Sequence, residues 1–149
     1  MGGRAAGAAR EPRAGDGPLA RLILDTAVLV DAERGRGTLD DLIADDDDVA
    51  IAAITAAELW VGVELASGRR RGQREAFVNA VVEAVSVEPY DLDVAEAHAR
   101  LMAESGRSGR PRGPHDLIIA ATARARERAV VSTDLSGFAE LAGVRLLDS

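Results

Sequence analysis

Four acidic residues stand where a carboxylate could do chemistry rather than only meet solvent. Asp25 follows the apolar run Leu22-Ile23-Leu24, and Glu58 lies just after Val49-Ala50-Ile51-Ala52-Ala53-Ile54. Asp116 precedes the apolar Leu117-Ile118-Ile119-Ala120-Ala121, and Asp134 comes after Ala129-Val130-Val131-Ser132. The rest of the composition narrows what they could do. The 149 residues include no cysteine, no lysine and only two histidines, His98 and His115. Thiolate zinc sites, cysteine nucleophiles and disulfide frameworks are excluded. So are a lysine-dependent phosphate loop, a receiver-domain site and Schiff-base catalysis. A metal in this chain must be held mainly by carboxylates. An all-oxygen donor set suits Mg²⁺ or Mn²⁺, which also engage substrate phosphates.

The elements that must position these acids are legible from periodicity. Leu22–Leu24 reads as a buried strand feeding a helix over Ala27–Arg34, closed by Gly35 and Gly37. Thr38 opens another short helical stretch, Asp45–Asp48 form an acidic turn, and residues 49–54 are a second strand. Thr55 is expected to cap the next helix with Glu58 as its capping-box partner, and Gly68–Gly72 to break the chain before a helix that ends near Glu83. Val85–Val87 is a third strand, and Asp93 N-caps a helix to about Ala103. Ser105–Gly113 reads as loop, 115–126 as helix and 129–132 as the fourth strand. Phe138–Ala142 reads as a short helix and Val144–Leu147 as the last strand. Strands separated by helices require crossovers, hence a three-layer α/β/α domain around a mostly parallel sheet of about five strands. Residues 1–18, rich in Gly, Ala, Arg and Pro, are expected to be a disordered leader to a single domain at 19–149. No secretory h-region and no membrane span can be found, so a cytoplasmic location is expected.

This topology sorts the acids. Asp25, Glu58 and Asp134 follow strands and so fall at the carboxyl edge of the sheet, where ligands bind in such folds. Asp116 opens a helix that returns to feed a parallel strand, and must start at the same edge. Asp93 passes the same test, though as a helix cap first. Asp45–Asp48 fall on the opposite edge as a solvated turn, and Asp31, Asp40 and Asp41 are surface residues. Each of the four acids has a plain structural role open to it as cap, turn-former or helix-dipole partner. Together they do not share that freedom. At about 5 Å and an effective dielectric of 20, each pair of carboxylates costs roughly 3 kcal/mol, which a cation would cancel.

The formal charge of −7 denies the chain the global field of a nucleic-acid coat protein, so any RNA contact must be local. Arg107, Arg110 and Arg112 lie in the segment that returns to Asp116, and could guide a phosphate backbone or simply be solvated. Arg69-Arg70-Arg71 lie at the far end of the Glu58 helix. Trp60 points away from Glu58, toward core or an oligomer surface, and His115 is a neighbouring loop or cap residue before it is a substrate contact.

Leu24-Asp25-Thr26, Thr55-Ala56-Ala57-Glu58-Leu59, Asp116-Leu117-Ile118-Ile119-Ala120-Ala121-Thr122-Ala123 and Val130-Val131-Ser132-Thr133-Asp134 with Phe138 resemble the PIN-domain ribonucleases. Among these the chain most resembles the VapC-type toxins of type II toxin–antitoxin modules. The resemblance runs from about residue 21 to 148, and Ser132-Thr133 stands where related chains often carry Thr-Arg. It implies that Asp25, Glu58, Asp116 and Asp134 bind Mg²⁺ or Mn²⁺ and hydrolyse RNA to 5′-phosphate and 3′-hydroxyl ends. It also implies a cognate VapB-like antitoxin and a homodimer. Two other classes stay open: an RNA-maturing PIN nuclease outside any toxin module, and a catalytically silent PIN-like binding module. A phosphatase of the haloacid-dehalogenase type would need a second Asp at position 27, which is Ala.

Overall fold

The computed structural model describes residues 20–38, 40, 47–109 and 112–148. The leader, Arg110, Asp41, Asp45, Asp46 and most of the short helix expected after Thr38 lie outside the described residues. In chain order the elements are β1 (Arg21–Leu24), α1 (Thr26–Glu33), β2 (Asp48–Ala52), α2 (Ala53–Leu65), α3 (Gly68–Ala84), β3 (Ser86–Glu88), α4 (Leu92–Ser108), α5 (Pro114–Arg126), β4 (Ala129–Ser132) and β5 (Arg145–Asp148). A 3₁₀ turn over Leu135–Gly137 separates β4 from β5.

The five strands pair in the order β3-β2-β1-β4-β5, every pair parallel. Side chains along β1 alternate between two apolar layers. Leu22 and Leu24 pack with Val28, Leu29, Val63, Val78 and Val81, while Ile23 packs with Val94, Leu101, Ile119, Val130 and Phe138. A strand buried on both faces reads in sequence as a continuous apolar run, and this is what made β1, β2 and β4 legible. The order also fixes the site. The chain builds outward from β1 through β2 to β3, then returns to β4 on the other side of β1, so the crevice between the carboxyl ends of β1 and β4 is the topological switch point.

Several boundaries differ from the expectation, each for a physical reason. β2 ends at Ala52 and α2 begins at once, so Thr55 is a buried residue inside the first turn and Ala52 is the N-cap, without a side-chain cap. α3 starts at Gly68, not after Gly72, because Arg71 and Arg74 donate to the carbonyls of Val63 and Gly62 at 3.2 and 3.0 Å. Those bonds satisfy carbonyls near the end of α2 and close the helix corner tightly. Asp91, not Asp93, caps α4 by accepting from the Val94 amide. The helix continues through Ser105–Ser108, because the buried stripe Val94, Ala97, Leu101, Ser105 holds it against α5 and outweighs the low helix propensity of Gly106. It stops at Gly109, whose φ of 69° is the left-handed C-cap conformation. The short helix expected at 138–142 is replaced by the 3₁₀ turn at 135–137, after which Phe138 is buried in the core.

The acidic turn also needs correction at its end. Asp48 opens β2 as the partner of Arg21 at 2.8 Å and of the buried Arg128 at 3.0 Å. Arg128 also pairs with Glu88 at 2.8 Å and donates to the Leu22 and Asp48 carbonyls, so this edge carries an ion network rather than a solvated loop.

Candidate active site

Asp25 ends β1 and N-caps α1. Its amide extends the ladder to the Val131 carbonyl at 2.9 Å, which fixes the residue against β4. The carboxylate, only 6% exposed, accepts from the Ser132 hydroxyl at 2.8 Å. Ser132 is itself fully buried, and its oxygen also takes the Asp134 amide at 3.0 Å, so one hydroxyl ties the first acid to the turn carrying the fourth. Burial drives the Asp25 carboxyl above its ordinary range and the Glu58 charge adds to this. Hydrogen bonds from Ser132, Thr26 and Ala27 oppose it.

Glu58, in α2, has both oxygens occupied. Thr26 donates to Oε1 at 2.7 Å, and His115 Nδ1 lies 2.7 Å from Oε2. Glu58 is therefore no capping-box residue. His115 is part of the acid cluster through Glu58, rather than only a loop or cap neighbour. Asp116 occupies the first turn of α5, two residues after the Pro114 that opens the helix. Its carboxyl is pushed up by burial first, then by the negative charges of Asp25, Glu58 and Asp134, against a smaller opposing effect from His115. Asp134 sits exposed at the start of the 3₁₀ turn. Its Oδ1 accepts from the Ser136 amide at 3.0 Å and hydroxyl at 2.7 Å, and these bonds hold its carboxyl below the ordinary range.

The four acids line a single cleft of about 290 Å³ with Thr26, Ser136, Gly137 and Phe138. Among the described residues no three acidic or imidazole groups already stand close enough to hold one ion between them. The donor set itself fits a hard divalent cation: oxygen ligands only, two of the carboxyls destabilised as anions by burial and by neighbouring negative charge.

Asp93 does not join the cleft. Its helix begins beside Arg126, to which the Asp91 side chain is paired, and Arg126 ends α5 at about 15 Å along the axis from Asp116. Of the arginines, Arg112 donates to the Ser136 and Ala139 carbonyls at 3.0 and 2.6 Å, pinning the turn that bears Asp134. Arg107 lines a separate hollow with Arg100, Glu104 and Arg124. Trp60 is exposed on α2. Thr26, Ser132 and Ser136 are partners of the acids that local sequence signals only weakly, as a polar residue at the end of an otherwise apolar strand or one or two steps after an acid.

The PIN-domain model matches residues 22–144, and the chain belongs to the PIN-domain family. Relatives narrow the class. Ribonuclease VapC5 of Mycobacterium tuberculosis is 39% identical over 122 residues, covering 81% of this chain and 87% of the relative. The tRNA(fMet)-specific endonuclease VapC of Salmonella typhimurium is 33% identical over 100 residues, covering 67% of this chain and 74% of its own. The crystal structure of VapBC-5 from Mycobacterium tuberculosis superposes with a TM-score of 0.71 at 32% identity, over 89% of this chain and 99% of that one. Within the PIN family the protein is a VapC-type ribonuclease, a class of metal-dependent hydrolases. No helix among the described residues is long and apolar enough to cross a membrane.

Proposed function

We propose that Asp25, Glu58, Asp116 and Asp134 hold Mg²⁺ or Mn²⁺ and that the protein cleaves RNA at this cleft as the toxin of a VapBC-type module in the cytoplasm. The observation that carries the reading is the convergence of four acids from four chain segments on one cleft at the sheet's switch point. When bound, the ion supplies Lewis acidity, polarising the phosphoryl oxygen and acidifying water so that a nucleophile forms at neutral pH. The protein's own groups divide the remaining work. Asp25 and Asp116 offer the two carboxylates that burial has made costly as free anions. Glu58 is held at both oxygens by Thr26 and His115, which fixes its plane toward the cleft. Asp134 is set by Ser136 through Oδ1, leaving Oδ2 for the ion or its water. Ser132 locks the relative placement of Asp25 and the Asp134 turn. Arg107, Arg110 and Arg112 are the proposed contacts to RNA phosphates.

A VapB-like antitoxin would inhibit by setting a guanidinium into the acid cleft, where it makes bidentate bonds to carboxylates, with a homodimer as the toxin's own assembly. A folded tRNA is the first substrate to assay, given the activity named for the Salmonella relative. The deciding experiment is sequencing of RNA 5′ ends after induction of wild type and Asp116→Asn, with purified protein assayed in excess EDTA. New 5′-phosphate ends should be confined to wild type and abolished by chelation. Wild-type cleavage by Asp116→Asn, or undiminished cleavage in EDTA, rejects the reading.

A further inference from the structure

The Asp116 carboxylate lies in a slot between two glycines. A Cβ placed on Gly137 would come 2.4 Å from Asp116 Oδ2, 3.2 Å from its Cγ and 3.8 Å from its Cβ. A Cβ on Gly113 would meet the same Oδ2 at 3.3 Å. Neither glycine is required by backbone conformation. Gly113 has φ −61° and ψ 137°, extended backbone open to any residue, and Gly137 is absent from the positive-φ positions. What the two positions share is the space that the carboxylate fills.

From this we infer that Gly137 is a positioning residue for the reaction: its missing side chain is the seat of the Asp116 carboxylate, and it sets the direction in which that carboxylate faces Asp25 across the cleft. The inference rests on the functional reading above. Gly137 belongs to the turn that starts at Asp134, whose conformation is set by Ser136 and by the Arg112 bonds to the Ser136 and Ala139 carbonyls. That turn therefore supplies one acid directly and orients another. A methyl at position 137 leaves no room for the carboxylate where it stands. Turning it about its last bond moves the oxygens but leaves Cγ at 3.2 Å, so the Asp116 side chain must also give by a few tenths of an ångström, and together these movements take the carboxylate out of register with Asp25.

The test is a set of alanine variants read by Mn²⁺ titration, by kcat on an RNA substrate and by melting of the metal-free protein. Gly137→Ala should lose about 10- to 100-fold in Mn²⁺ affinity and about 100-fold in kcat, the scale on which a displaced ligand or a 1 Å misplacement acts. Its melting temperature should stay within about 2 °C of wild type, since no core residue moves. Gly113→Ala, with more clearance, should show a smaller loss of the same kind. Gly72→Ala, whose Cβ points into open space on α3, should match wild type in affinity and rate. Wild-type affinity and kcat in Gly137→Ala would overturn the inference. A fall of 10 °C or more in its melting temperature would overturn it too, because the methyl would then be disturbing the turn rather than the carboxylate. Asp116→Asn separates the two levels. If it is inactive while Gly137→Ala is fully active, only the slot is refuted; if it cleaves RNA at the wild-type rate, the site assignment falls with it.

Discussion

Replacing Asp116 by Asn should inactivate the protein and make it more stable, and both effects follow from the same geometry. Asp116 faces the negative charges of Asp25, Glu58 and Asp134, with His115 the one opposing influence. A pair of carboxylates at about 6 Å and an effective dielectric of 20 repels by roughly 3 kcal/mol. The cleft is open to water on one side and Asp116 is only half-buried, so screening brings the summed relief to about 1–2 kcal/mol. For a chain of this size that raises the melting temperature of metal-free protein by about 2–8 °C. Saturating ion should reverse the order. A ligand at 100 times its Kd stabilises the form it binds by about 2.7 kcal/mol, and wild type gains this while the Asn variant, short of a ligand, gains less. The pH dependence has a definite sign. The Asp116 carboxyl is raised above 3.8, so the folded protein holds that proton more tightly than the unfolded chain does. Its ionisation weakens the fold at pH above the folded value, and the penalty is relieved as pH falls through that value toward 3.8. The gap between variant and wild type should be full at neutral pH and close on acidification. Calorimetry of both proteins, with and without Mn²⁺, at neutral and acid pH, checks every part. A metal-free variant that melts below wild type, or curves that keep their order when Mn²⁺ is added, would refute the like-charge account of the cleft.

Two further substitutions separate support of the site from support of the fold. Ser132→Ala removes a buried hydroxyl that serves Asp25 and the Asp134 amide; it should cost about 2 kcal/mol by chemical denaturation and lower kcat, and an unchanged midpoint would show that the hydroxyl is not a structural link. Arg128→Ala removes the guanidinium shared by Glu88 and Asp48. Because Arg126 still pairs with Glu88, the loss should be at the low end for a broken buried pair, about 3 kcal/mol, with RNA cleavage at low temperature retained; a drop in kcat at temperatures where the variant is folded would contradict it.

The acids were legible because their placement depends on topology alone. Apolar runs gave β1, β2 and β4, parallel pairing gave a common edge, and the residue after each run had to lie there. What could not be read was anything decided by contacts distant in sequence. Thr26 meets Glu58 across 32 positions and Ser132 meets Asp25 across 107, and no local pattern signals either bond. The helix errors have the same origin. Thr55 and Glu58 have the spacing of a capping box, yet both are drawn toward Thr26 on α1. Gly106 weakens a helix on its own, but the burial of Leu101 and Ser105 carries α4 past it. The carbonyl partners of Arg112 lie 24 and 27 positions away, and no local pattern signals them either.

Charge is distributed in opposite ways at the two edges of the sheet. At the carboxyl edge, acids face one another with little cationic company, and this strain is what a divalent cation would relieve. At the amino ends of β1, β2 and β4, Arg21, Asp48 and Arg128 alternate in sign, and Arg128 carries the network on through Glu88 to Arg126 and Asp91. Those pairs join the sheet to both α4 and α5, the helix that carries Asp116. The network therefore holds the frame against which the carboxylates are forced together, and neither edge explains the other's substitutions. Neutralising an acid at the carboxyl edge removes a repulsion and a proposed metal ligand at once. Neutralising Arg128 at the amino edge takes one arginine partner from both Glu88 and Asp48 while leaving the cleft intact. A stabilised, inactive protein and a destabilised, active one are the two signatures that distinguish a charge held for chemistry from a charge held for the fold.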